Sequence, residues 1–236
     1  MASIGGPNII EDGLVLYLDA TNIRSYPGSG TTWNDLSGNG NNGTLTNGPT
    51  FIPRNIESNI SFDGTNDQIN FNNKTASQIG INHEFTFEYL IKFNPIKTQH
   101  DLFGFPGYNP RWGYSHRVVG VNNNTQLRSE LWYNLENGWW EYTRPSNNTI
   151  FNFSEWIFCS VSKSSTQTIF TTNKETSVHL NRPNSGYNNT INIIRLNSVG
   201  WGFGAYEIGY FKVYNKGLTQ EQTLQNYNAT KGRFGL

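Results

Sequence analysis

Glu84 and Glu88 lie four residues apart in Glu84-Phe85-Thr86-Phe87-Glu88, and along an extended strand that spacing puts both carboxyls on one face. Two facing carboxyls are the equipment of glycoside hydrolysis, where a retaining mechanism holds them about 5 to 5.5 Å apart across the scissile bond. Polar alternation on a half-buried strand is ordinary, however, so Glu84, Thr86 and Glu88 are expected to be a solvated strand face, without catalysis. A second chemistry is sugar binding, in which a ring face packs on the sugar and neighbouring polar groups fix its hydroxyls. Trp112, Tyr114, Trp139 and Trp140 are the candidates for it, since they lie in or beside loops, or on strands with polar neighbours. In a strand the consecutive Trp139 and Trp140 point to opposite faces, which puts one of them at the surface or an interface. Core packing is the competing use of each ring. His83, His100, His116 and His179 are scattered without metal-ligand spacing, and the sequence has no nucleophile elbow, Walker loop or zinc signature.

The composition narrows the partners. Seventeen basic residues balance 17 acidic ones without a long run of either sign, so no concentrated positive field is available to capture nucleic acid or an anionic membrane. No segment approaches the roughly 18 apolar residues of a membrane span. Cys159 is the single cysteine, which excludes an intrachain disulfide and the usual cysteine-based zinc site. In Trp156-Ile157-Phe158-Cys159-Ser160-Val161 it is expected to be a buried, inert thiol. The opening MASIGGPNIIEDG has neither a basic n-region nor an apolar h-region, and the expectation is synthesis and folding in a host cytoplasm. At 236 residues one domain can bury roughly 70 % of its unfolded surface and needs no covalent staple.

These side chains must be positioned by strands. Glu84 to Phe93 sets Phe85, Phe87, Tyr89, Ile91 and Phe93 on one face, a core face by its period of two. Leu14 to Asp19 alternates likewise and is read as a central strand feeding the Gly/Asn-rich turn that ends near Gly43. Asn59 to Phe62 and Gln68 to Phe71, separated by Asp63-Gly64-Thr65-Asn66, read as a β-hairpin. Arg117 to Val121, Gln126 to Tyr133 and Trp139 to Thr143 read as a meander, and Trp156 to Val161 with Gln167 to Thr172 as a strand pair. Thr190 to Leu196 and Ala205 to Tyr214 supply the last strands. Thr219 with Gln222 forms a capping box that starts the only helix, through Tyr227, expected to cap an open end of the molecule. The sum is an all-β, two-sheet antiparallel jelly-roll sandwich over residues 13–236, preceded by an extended arm, 1–12.

Four segments resemble laminin-G-like, concanavalin A-type jelly-roll domains: Gly13-Leu14 to Asp19, Asp35 to Leu45 (DLSGNGNNGTL), Phe62-Asp63-Gly64 to Asp67, and Glu207 to Tyr214 with Leu218-Thr219 and Asn226-Tyr227-Asn228. The wording YPGSGTTWNDLSGNG is most similar to copies in virion proteins of tailed phages. The resemblance implies a non-enzymatic virion protein, a decoration, spike or tail-fibre component, binding host-surface glycans. The alternatives are a free carbohydrate-binding lectin-type module and a glycoside hydrolase, although the glycanases of this fold carry an acid where Thr86 stands. It also implies calcium held by rim-loop carboxylates, for which Asp19, Asp35, Asp63 and Asp67 are the candidates. Partners would be other virion proteins, reached through an arm carrying Ile4, Ile9 and Ile10, or further copies in a homo-oligomer.

Overall fold

The structure, a computed structural model, describes residues 7–81, 84–94, 99–105, 114–121, 126–134, 140–143, 155–180, 193–197 and 203–236. Within them the period-two segments form sixteen strands. In chain order these are β1 (Leu14–Asp19), β2 (Thr32–Trp33), β3 (Gly43–Thr46), β4 (Thr50–Ile52), β5 (Asn59–Asp63), β6 (Gln68–Thr75), β7 (Phe85–Phe93) and β8 (Gln99–Phe105). They continue with β9 (Tyr114–Val121), β10 (Gln126–Asn134), β11 (Trp140–Thr143), β12 (Ile157–Lys163), β13 (Gln167–Thr172), β14 (Thr176–Leu180), β15 (Ile193–Leu196) and β16 (Ala205–Tyr214), before helix α1 (Gln220–Thr230).

All pairings are antiparallel. One sheet runs β14-β13-β12-β7-β16-β5-β4, with β1 also on β16, and the other runs β11-β10-β9-β8-β15-β6-β3-β2. The expected meander is present as β9-β10-β11, and β12 pairs with β13. Between the sheets lies one apolar core, to which β7 contributes Phe85, Phe87, Tyr89, Ile91 and Phe93 and the opposite sheet contributes Trp33, Ile69, Phe71 and Leu196. Each fully buried ring or branched chain adds roughly 1.5 to 3 kcal/mol. Phe87 is fully buried, and truncating it to alanine removes about 3 to 5 kcal/mol.

Two strand assignments change. Among the described residues β1 pairs only with β16, at Asp19↔Tyr210 through Leu14↔Tyr214, because β5 takes the first half of the same flank at Ala205↔Asp63 through Ile208↔Ile60. It is a half-length partner and not a central strand, although Leu16 and Leu18 are fully buried. β5 and β6 do not form a hairpin: β5 pairs with β4 and β16, and β6 with β3 and β15 on the opposite sheet. Ile60, Phe62, Ile69 and Phe71 still face one core, but from opposite sides. The turn between the strands therefore crosses between sheets. Asp67 Oδ2 accepts from Asp63 N at 3.0 Å and Asp63 Oδ1 from Thr65 N at 2.7 Å, which fixes that crossing.

Helix α1 begins at the expected capping box, with Thr219 Oγ1 accepting from Gln222 N and Gln222 Oε1 from Thr219 N. It does not close an end of the sandwich. Asn226 donates to Glu88 in the middle of β7 and to Tyr214 of β16, so the helix lies on the outer face of the first sheet. Beside it a second apolar cluster of Leu90, Trp156, Phe158, Tyr210 and Phe234 covers the same face. The central strands of this sheet are buried on both sides.

Candidate functional site

The paired glutamates are the first test of catalysis, and burial answers it. Thr86 and Glu88 are fully buried, so the expectation of a solvated face is corrected. The cause is the C-terminal helix, whose Asn226 Nδ2 lies 2.9 Å from both Glu88 oxygens. Lys212, also fully buried, donates to Glu88 Oε2 at 3.4 Å. Thr86 Oγ1 donates to Lys216 O at 2.9 Å and accepts from Leu218 N at 2.9 Å, joining the strand to the segment ahead of the helix. Glu84 Oε1 accepts from Ser165 N at 2.7 Å. A substrate cannot reach a carboxylate enclosed in this way, and Glu88 serves the interior. Desolvation raises its carboxyl above the ordinary range, and Lys212 and Asn226 oppose that shift.

The four aspartates are turn and core organisers. Asp35 Oδ1 accepts from Tyr17 N and Ser37 N, and Oδ2 from Ser37 Oγ and Asn41 N, all within 2.9 Å. Four donors occupy the lone pairs of one carboxylate, and they fold the 35–42 loop against β1 while Gly38 and Gly40 supply φ of 87° and 66°. Asp19 is held by Arg233, Tyr17 Oη and Thr21 N. Asp63 and Asp67 hold the sheet-crossing turn. Among the described residues no three His, Cys, Asp or Glu side chains gather around a position for a metal ion.

The register places two of the candidate aromatics at one end of the second sheet, although their partners on β10, Tyr133 and Asn134, are consecutive and so the two positions belong to opposite faces. Tyr114 opens β9 and has Tyr133 of β10 as its Cα partner, while Trp140 opens β11 opposite Asn134 at the end of β10. Both positions lie at one end of three adjacent strands, and with strands about 4.8 Å apart they are roughly 10 Å from one another. Among the described residues β11 is the edge of its sheet. Trp112 and Trp139 lie outside the described residues. A separate polar groove at the start of α1, bounded by Ser162, Ser164, Gln167, Gly217 and Thr219, has no aromatic residue in its lining.

Of the arm, Ile4 lies outside the described residues, and Ile9 and Ile10 are half-buried. Ile10 N donates to Asn226 Oδ1 at 2.7 Å, Tyr214 Oη donates to Ile10 O at 3.0 Å, and Gln225 Nε2 donates to Asn8 O at 2.8 Å. The described part of the arm is thus strapped to this chain's own helix, where the sequence alone suggested an extension. The strap was invisible in the sequence because its bonds join positions more than 200 residues apart.

Solved structures share this architecture. Domain 4 of AbnA, a GH43 extracellular arabinanase from Geobacillus stearothermophilus solved in complex with arabinotriose, is 17 % identical, with 93 % of this chain and 100 % of that one covered and a TM-score of 0.64. The likeness is one of fold. The binding domain of botulinum neurotoxin DC in complex with rat synaptotagmin II is 12 % identical over 92 % of this chain and 52 % of that one, with a TM-score of 0.65. Trypanosoma rangeli sialidase in complex with the inhibitor DANA is 13 % identical, at a TM-score of 0.65. This chain spans 37 % of the sialidase's length and all of its own. No protein-family model matches the sequence, and no curated protein does.

Proposed function

We propose that this chain is a non-catalytic glycan-binding module whose binding rim is the Tyr114 and Trp140 end of β9-β10-β11. The observation that carries the reading is the register that sets two aromatic residues at the same end of β9 and β11, on either side of β10, where a strand-end rim offers a ring to a sugar face. Enclosure of Glu88 beneath α1 supports binding over hydrolysis. A full-length likeness to a domain solved with arabinotriose supports a saccharide as the ligand class. The phage-like wording of the opening segment supports display on a virion, where many copies would multiply a modest affinity per site.

The test is binding of the purified chain to arabino-oligosaccharides and a panel of bacterial surface polysaccharides. At least one is expected to bind, and either Tyr114→Ala or Trp140→Ala, according to the ring on which the sugar stacks, is expected to weaken it about tenfold, the loss of one aromatic contact. Retention of full affinity in both variants, or release of reducing sugar by the native chain, would overturn the reading. Mass spectrometry of purified particles tests the placement separately.

A further inference from the structure

Lys212, Asn226 and Glu88 meet in the space between the first sheet and α1, and all three are fully buried. Among the described residues the Lys212 Nζ reaches one oxygen, Glu88 Oε2 at 3.4 Å. It otherwise faces aromatic rings, lying 4.6 Å from the Tyr210 centroid and 5.5 Å from that of Tyr17. A buried ammonium with one long hydrogen bond is poorly solvated, whereas a neutral amine there is a nucleophile. The Asn226 amide is held at both ends: Ile10 N donates to its Oδ1 at 2.7 Å, and its Nδ2 points to the Glu88 oxygens at 2.9 Å and to Tyr214 Oη at 3.0 Å. Lys212 and Asn226 therefore share one carboxylate oxygen and lie within a few ångströms of each other.

We propose that Lys212 and Asn226 become joined by an intramolecular isopeptide bond, formed in the folded chain with Glu88 carrying the proton. Lys212 first passes one proton to Glu88, leaving a neutral amine beside a neutral acid. The Nζ lone pair then attacks Asn226 Cγ, and the charge that develops on Oδ1 is met by the Ile10 N–H, a backbone donor already in place. Glu88 relays a second amine proton to Nδ2, the Cγ–Nδ2 bond breaks, and ammonia leaves as the Nζ–Cγ amide forms. The carboxyl ends as the acid it was before attack, so no oxidant, metal or cofactor is consumed. Burial favours the neutral pair from both sides, raising Glu88 and lowering Lys212, with Asp19 and Arg233 as the other charges acting on the lysine. The bond would fix α1 to β16 covalently across the face that covers Glu88, and the strap from Asn8 to Ile10 would complete the site by supplying its oxyanion donor.

Intact-mass spectrometry of the native full chain, followed by peptide mapping, tests this. The expected mass is about 17 Da below that of the sequence, one ammonia, with trypsin unable to cut after Lys212 and a branched peptide linking Lys212 to Asn226. Glu88→Gln and Lys212→Arg are expected at their full sequence masses. A folded native chain at its full sequence mass overturns the proposal. So does an ammonia loss that maps elsewhere, such as to a cyclised Asn39 ahead of Gly40, or a lower mass that persists in Lys212→Arg. The native chain alone supplies the deciding measurement, so a variant that fails to fold leaves the outcome readable.

Discussion

Arg233 and Asp19 form a two-bond ion pair that ties the last turn of the chain to the end of β1: Nη1 donates to Oδ2 at 2.8 Å and Nη2 to Oδ1 at 2.9 Å. Side-chain exposure is 34 % for the arginine and 1 % for the aspartate, so the carboxylate is shut away from solvent against this partner. The planar guanidinium matches both oxygens at once. Arg233→Ala leaves a buried anion with only Tyr17 Oη and Thr21 N, and a loss of about 2 to 4 kcal/mol is expected in chemical denaturation. Arg233→Lys, a point donor, should recover only part of it. A change within about 0.5 kcal/mol would mean the pair is no more than a surface contact.

Asp35→Ala removes the acceptor of three backbone amides, those of Tyr17, Ser37 and Asn41. Hydrogen bonds to an ionised group are individually strong, so a loss of about 2 to 4 kcal/mol is expected. Hydrogen exchange should quicken first at those three amides. Unchanged protection there would show that the loop holds its shape without the carboxylate.

Asp67 carries a pH dependence. Burial raises its carboxyl above the ordinary value of 3.8, and the neighbouring Asp63 charge adds to the shift. The folded state therefore holds a proton that the unfolded state releases first. The contribution to stability is full below about pH 4 and is lost as pH rises through the raised folded value. Asp67→Asn keeps a carbonyl acceptor for Asp63 N and removes the titration. Its stability is expected to fall less as pH rises above about 4 than that of the native chain. Parallel profiles would remove the assignment.

Cys159 is buried on β12, and desolvation pushes its thiol up to about 12. At neutral pH almost no thiolate is present, and none is accessible. Alkylation by iodoacetamide is expected only in denaturant. Labelling of the native chain at the rate of a free thiol would show that this part of the sheet opens.

Some of the molecule was legible in the sequence for a simple reason: alternation and capping are local. Phe85 to Phe93 declared its core face by period two, and Thr219 with Gln222 declared the helix start, because in each case the residues that form the pattern are neighbours along the chain. The bonds of Asp35 to Ser37 and of Asp63 to Thr65 are local too, each spanning two residues.

The rest was decided by elements far apart in sequence. Alternation says which side of a strand a residue is on, but not what covers that side, so Glu88 read as solvated until a helix 138 residues away placed Asn226 against it. The same limit hid the partition of β5 and β6. Their spacing and apolar faces suit a hairpin and a sheet crossing equally, and competition for hydrogen-bonding edges, with β16 on one side and β3 and β15 on the other, made the choice. The sequence by itself determined the helix, the strands whose alternation is plain, such as β7 and β16, and the residues of β7 that face inward. Only the tertiary structure decided which outward faces remain outward, because covering a sheet face depends on where the chain's end returns, and that return is set by packing and buried charge rather than by any local pattern.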